Sequence, residues 1–100
     1  MDPDLPDFTI ADVVVSTAGR DAGSLFYVLE TDGIWLSLVN GEDRRIEKPK
    51  RKKCKHVKKV LRSETRVAEK LRSGDKVLNS ELRRDLAKIS QEMQSKAIGG

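Results

Sequence analysis

Asp32-Gly33 and, a few residues on, Asn40-Gly41 interrupt a stretch otherwise rich in apolar and β-branched residues. Such dipeptides tolerate the positive φ of a tight hairpin turn, so each predicts an antiparallel reversal between the strands on either side. The strands this implies cover residues 25–31, 34–39 and 44–48. Val13-Val14-Val15 supplies an earlier strand, and the TAGRDAGS segment, with Gly19 and Gly23, reads as the loop that follows it. Pro49 cannot donate to a ladder and ends the fourth strand, while residues 57–61 can form a short fifth.

Side chains alternate across a strand, so the period of two assigns faces. Ile34, Leu36 and Leu38 share one face of the third strand, with Trp35, Ser37 and Val39 on the other. In the second strand Phe26 and Val28 oppose Leu25, Tyr27 and Leu29, which makes both faces apolar. A strand of that kind is covered on both sides, and the C-terminal part can provide the outer cover. Ser63 is a candidate N-cap for a helix over residues 64–72, stopped by Ser73-Gly74. Asn79 or Ser80 is placed to cap a longer helix over 81–96, whose Leu82, Leu86, Ile89 and Met93 form one apolar stripe. The chain is therefore expected to be mainly β with an α-helical C-terminal tail: an acidic lead-in at 1–7, a β domain with a basic run at 8–62, and a helical extension of two helices at 63–97.

The distribution of charge is as informative as the fold pattern. Residues 1–43 carry nine acidic groups against Arg20 alone, and residues 44–62 carry eleven basic groups against Glu47 alone. Lys48, Lys50, Arg51, Lys52, Lys53, Lys55, Lys58, Lys59 and Arg62 follow one another with no acidic residue between them. Such a concentration attracts a polyanion, with lysines as adaptable point charges and Arg51 able to grip a phosphate through two N–H groups. The competing readings are a solvated loop or a nuclear import signal, which PKRKK would suit, but nine uncompensated charges repel one another without a partner. Arg44 and Arg45 have Glu42, Asp43 and Glu47 beside them and are expected to pair locally. Trp35 and Tyr27 can stack on bases or pack beneath the helical tail, and the apolar stripe gives packing the stronger claim.

Several classes are disfavoured. No apolar run is long enough to span a bilayer, and the acidic, proline-broken start is unlike a secretory leader, so a cytoplasmic location is expected. Cys54 is the sole cysteine and His56 the sole histidine, which leaves no within-chain zinc set; no cofactor is expected. The glycines match neither nucleotide-binding signature, and no nucleophile stands with a base and an orienting carboxylate, so the chain reads as a non-enzyme.

The stretch from DVVVSTAGRDAG through LFYVLETDGIWLSLVNG to KPKRKKCKHV resembles the KOW-motif proteins, and more narrowly small bacterial proteins related to the archaeal and eukaryotic large-subunit ribosomal protein fourteen-e. The resemblance covers residues 8–62 and extends less firmly into the helices. It implies a small SH3-like barrel followed by two helices. The implied activity is RNA binding, with ribosomal RNA as partner, ribosomal proteins as further contacts, and a role in translation or ribosome assembly. The first loop of that family approaches RNA, which adds Gly19, Arg20 and Gly23 to Lys48, Lys50, Arg51, Lys52, Lys53, Lys55, His56, Lys58 and Lys59 as candidate contacts. The free protein is expected to be a monomer whose acidic half faces away from the RNA. Two rival readings are a protein-interaction adaptor using Trp35, Tyr27 and the helical stripe, and a KOW domain acting on transcription.

Overall fold

The computed structural model describes the backbone of residues 8–99 and the side chains of residues 8–94. The acidic lead-in at 1–7 lies outside the described residues. Five strands form one antiparallel sheet: β1 (Asp12–Ser16), β2 (Leu25–Thr31), β3 (Trp35–Val39), β4 (Lys50–Lys53) and β5 (Val57–Arg62). Two helices follow, α1 (Arg66–Ser73) and α2 (Asn79–Gly99).

The strand order β4-β3-β2-β1-β5 puts β4 and β5 at opposite edges of the sheet, yet only the short 3₁₀ turn Cys54–His56 joins them in the chain. Four strand spacings of ~4.8 Å would separate the edges of a flat sheet by ~19 Å. The link between β4 and β5 reaches no more than ~14 Å at ~3.5 Å per residue. The sheet must therefore roll up. Phe8, Val14, Phe26, Val28, Leu36, Leu38 and Val57 fill the inside of the roll.

A second apolar layer lies outside it. Val13, Tyr27 and Val39 on the outer face meet Val67, Ala68 and Leu71 of α1 and Leu82, Leu86 and Ile89 of α2, with Val77 from the connection between them. Both faces of β2 are thus buried, as its unbroken apolar pattern predicts. Met93 falls off the stripe and is exposed.

Three boundaries differ from the sequence reading. Residues 44–48 are not a strand: Asn40 folds residues 40–49 into a loop, its side-chain oxygen accepting from the N–H groups of Glu42 and Arg44. The fourth strand is the basic run itself, beginning just past Pro49, where a missing N–H costs the ladder nothing. Thr65, not Ser63, caps α1, accepting from the Ala68 N–H; Ser63 is buried and bonded to the Tyr27 hydroxyl instead. At α2, Glu81 reaches back to the N–H of Leu78, one arm of a capping box. Gly41 lies against this helix start, where an added Cβ would stand 2.1 Å from the Asn79 carbonyl oxygen. Asn79 in turn accepts from the Ile46 N–H and donates to Glu47, fastening the 40–49 loop to α2.

The hydroxyl of Tyr27 ties the helices to the sheet. It bonds Ser63 at 2.8 Å and the Asp85 carboxylate, which also accepts from Thr65. Burial, and after it the hydrogen bond to the Asp85 carboxylate, push the Tyr27 phenol up to about 12. No helix among the described residues is long and apolar enough to cross a membrane.

Candidate nucleic-acid interface

Because the basic run is a strand, the period of two divides it. Lys52 pairs with Leu36 and Lys50 with Leu38, so both belong to the inner side of the sheet, while Lys53 pairs with Trp35 and Arg51 with Ser37 on the outer side. The two halves have different partners.

Lys52 is a structural cation. It is 8% exposed, and its ammonium reaches the Asp21 carboxylate at 2.6 Å, the Ser16 hydroxyl at 2.8 Å and the Ala18 carbonyl at 2.6 Å. All three donor positions are used. Lys50 reaches the second Asp21 oxygen at 2.7 Å. Burial of Asp21 works to raise its pKa, but bonds from Lys50, Lys52 and Ser16, together with the Lys52 charge, outweigh it and hold the carboxyl well below the usual carboxylate range. Asp21 thus clasps the glycine loop to β4. Within that loop Gly23 adopts φ +90° and donates to the Ser16 carbonyl, and Gly19 adopts φ +86°, both conformations that favour glycine. Arg20 is exposed beside them.

The loop and the basic strand, far apart in sequence, do come together, but through Lys50 and Lys52, which are consequently engaged inside the fold. On β5, Lys59 reaches Asp12 at 3.2 Å and lies 5.7 Å from the Phe8 ring centre. Asp12 and Asp21 therefore sit among the lysines, and the acidic half does not simply face away from the basic one. That distribution follows from the rolled sheet, which lays β1 against β5 and the first loop beside β4.

On the outer face the remaining cations gather around Trp35. The Arg51 guanidinium lies 5.0 Å from the centre of the Trp35 ring and the Lys53 ammonium 5.4 Å from it. Trp35 is 37% exposed and outside both apolar layers, so the expectation that it packs beneath the helices holds for Tyr27 and not for Trp35. The helices cover the Val39 end of β3 and stop short of the Trp35 end. Asp32 fixes this end of the hairpin, accepting from the N–H groups of Ile34 and Trp35, and these bonds lower its pKa. The basic surface continues through exposed Lys55 and half-buried His56 in the 3₁₀ turn to exposed Lys58 and Arg62 on β5; Lys48 is exposed in the loop before β4. Lysines on β4 and β5 also discourage edge-to-edge pairing with other chains, since these are the two strands with a free edge.

Two residues at this face were not singled out by sequence reasoning. Glu30 on β2 and Asp32 in the turn that follows it stand on the far side of β3 from the cations, and with Thr31, Trp35, Ser37 and Arg51 they line a shallow depression of about 290 Å³. Glu30 would point inward with Val28 in a regular strand. A bulge between Val28 and Glu30 brings it opposite Ser37, on the outer face. Among the described residues no group of His, Cys, Asp and Glu is arranged to hold a metal ion. The surface on which an adaptor reading depends is largely buried, since Tyr27, Leu82, Leu86 and Ile89 are all in the outer layer. No protein-family model matches the chain, and no curated protein matches it either.

Proposed function

We propose that this protein is an RNA-binding module built on an SH3-like barrel of the KOW type, acting in the cytoplasm on ribosomal RNA during translation or ribosome assembly. The rolled five-stranded sheet, its strand order and the glycine loop after β1 support the barrel reading. One observation carries the RNA reading: the chain's sole tryptophan is partly exposed, with two cations of the neighbouring basic strand over its ring, rather than enclosed in the core. An aromatic surface flanked by Arg and Lys stacks an unpaired base while the cations take up its phosphates. Ribosomal RNA as the target rests on the sequence resemblance.

Titration of unpaired RNA, followed through Trp35 fluorescence at several salt concentrations, tests this. With Arg51, Lys53, Lys55 and Lys58 each meeting a phosphate, log K should fall against log salt with a slope of about −3. Replacing Arg51, Lys53 and Lys55 with Ala should weaken binding and flatten the slope. Lys50 and Lys52 are poor choices for this test, because their removal loosens the loop. A flat salt response in the native protein, or binding unaltered by the triple substitution, refutes the proposal.

A further inference from the structure

The outer face around Trp35 is an ordered grid. Cross-strand pairing sets Glu30, Ser37 and Arg51 in one row across β2, β3 and β4 and Trp35 beside Lys53 in the next, with Asp32 in the turn bonded through its N–H to the Trp35 carbonyl. One side of the tryptophan is therefore acidic and the other basic. A nucleotide entering this depression is oriented by its own charge: the phosphate is drawn to Arg51 and Lys53 and repelled by Glu30 and Asp32. A base lying on Trp35 then directs its edge toward the carboxylates of Glu30 and Asp32.

Those carboxylates are not equivalent. One Asp32 oxygen already receives two backbone N–H groups and holds the turn. Glu30 is exposed and has no hydrogen-bond or ion-pair partner among the described residues. An ionised carboxylate only accepts, and its two oxygens match two parallel donors. Guanine alone among the RNA bases presents adjacent N1–H and N2–H donors on its Watson–Crick edge. Adenine and cytosine each set one amino group beside an acceptor nitrogen, and uracil flanks its single N–H with two carbonyls, all of which a carboxylate disfavours.

We infer that the Glu30–Trp35–Arg51 depression is a guanine-selective subsite for unpaired RNA, with Trp35 stacking the base, Glu30 reading its edge and Arg51 holding its phosphate. This rests on the RNA-binding reading and adds a base preference to it. The bulge supports the assignment, because it alone turns Glu30 outward onto the tryptophan face.

The test measures Trp35 quenching by the RNA pentamers UUGUU, UUAUU, UUCUU and UUUUU at low salt. UUGUU should bind about tenfold more tightly than the others, within the range of a bidentate base contact at an open site. Glu30→Gln, at an exposed position, removes a carboxylate that repels phosphate and so raises affinity for every pentamer, but it should bring the ratio of UUGUU to UUUUU affinity down to about one. Equal binding of all four pentamers overturns the subsite while RNA binding stands, and so does a guanine preference that survives Glu30→Gln. Absence of binding to every pentamer overturns both readings.

Discussion

Replacing Lys52 with Met tests the division of the basic strand into structural and exposed halves. The substitution keeps most of the stem's apolar contact and removes the ammonium, leaving the Ala18 carbonyl without this donor and Asp21 with Lys50 and Ser16 alone. Breaking a buried pair by removing one partner costs roughly 3–5 kcal/mol. Because Asp21 keeps the half-buried Lys50, we expect a smaller loss, about 2–3 kcal/mol. For a chain of this size each kcal/mol moves Tm by ~4–8 °C, so the expected drop is ~10–20 °C. Thermal melts followed by far-ultraviolet circular dichroism, with urea titrations to check that m is unchanged, measure it. Lys53→Met, at an exposed position two residues away, should cost less than ~0.5 kcal/mol and serves as the control. In a double-mutant cycle, Asp21→Asn with Lys52→Met should lose less than the sum of the single losses. A Lys52→Met protein within ~4 °C of the native Tm would refute the claim that this lysine holds the loop to the sheet.

Asp21 titrates below its unfolded value of about 3.9, so its contribution to stability is complete above that pH and is lost as the pH falls further. Asp21→Asn should accordingly lower stability at pH 7 and flatten the acid limb of a stability–pH profile. Tyr27 has the opposite sign: its folded pKa, raised to about 12, gives stability present below about pH 10 and lost as the pH rises between the two values. It is the sole tyrosine, so its absorbance at alkaline pH reports that titration directly, and Tyr27→Phe should cost about 1.5–3 kcal/mol through the lost bond to Asp85. Gly41→Ala places a methyl group against the Asn79 carbonyl at a φ of +77°; we expect a loss of at least ~2 kcal/mol in urea denaturation.

The parts of this fold that were legible in the sequence are those that depend on short-range periodicity. Within β2 alternation set Phe26 and Val28 opposite Tyr27, and within β3 it set Leu36 and Leu38 opposite Val39, as found, although Ile34, assigned to the Leu36 face, precedes the strand and is exposed. Helical spacing found Leu82, Leu86 and Ile89. The fourth strand was misplaced because Asn40-Gly41 has the composition of a hairpin turn, while the Asn40 side chain here organises a longer loop. With the strand set at residues 44–48, the alternation in Lys50–Lys53 went unread, and all four residues looked equally available. The Asp21–Lys52 pair has no local signature; only the rolled sheet brings residue 21 to residue 52. Glu30 was hidden for a related reason, since one extra residue in β2 inverts the face that alternation assigns. Trp35 was correctly placed on the outer face, but how far along that face the helices extend is a matter of tertiary geometry.

The double-sided burial of β2 also has a kinetic consequence. Tyr27 completes its hydrogen bonding only when Asp85, 58 positions later, arrives. The pairing of β1 with β5 likewise joins Asp12 to Arg62 across the whole β domain. Contacts of such long separation require loop closure before they return any stabilisation, which slows folding. Hairpins β2–β3 and β3–β4 can form early, yet a chain emerging from its N-terminus would hold the outer face of β2 uncovered through most of its synthesis. During that interval the charged edges of β4 and β5 guard the nascent sheet against its neighbours before the helices arrive to cover it.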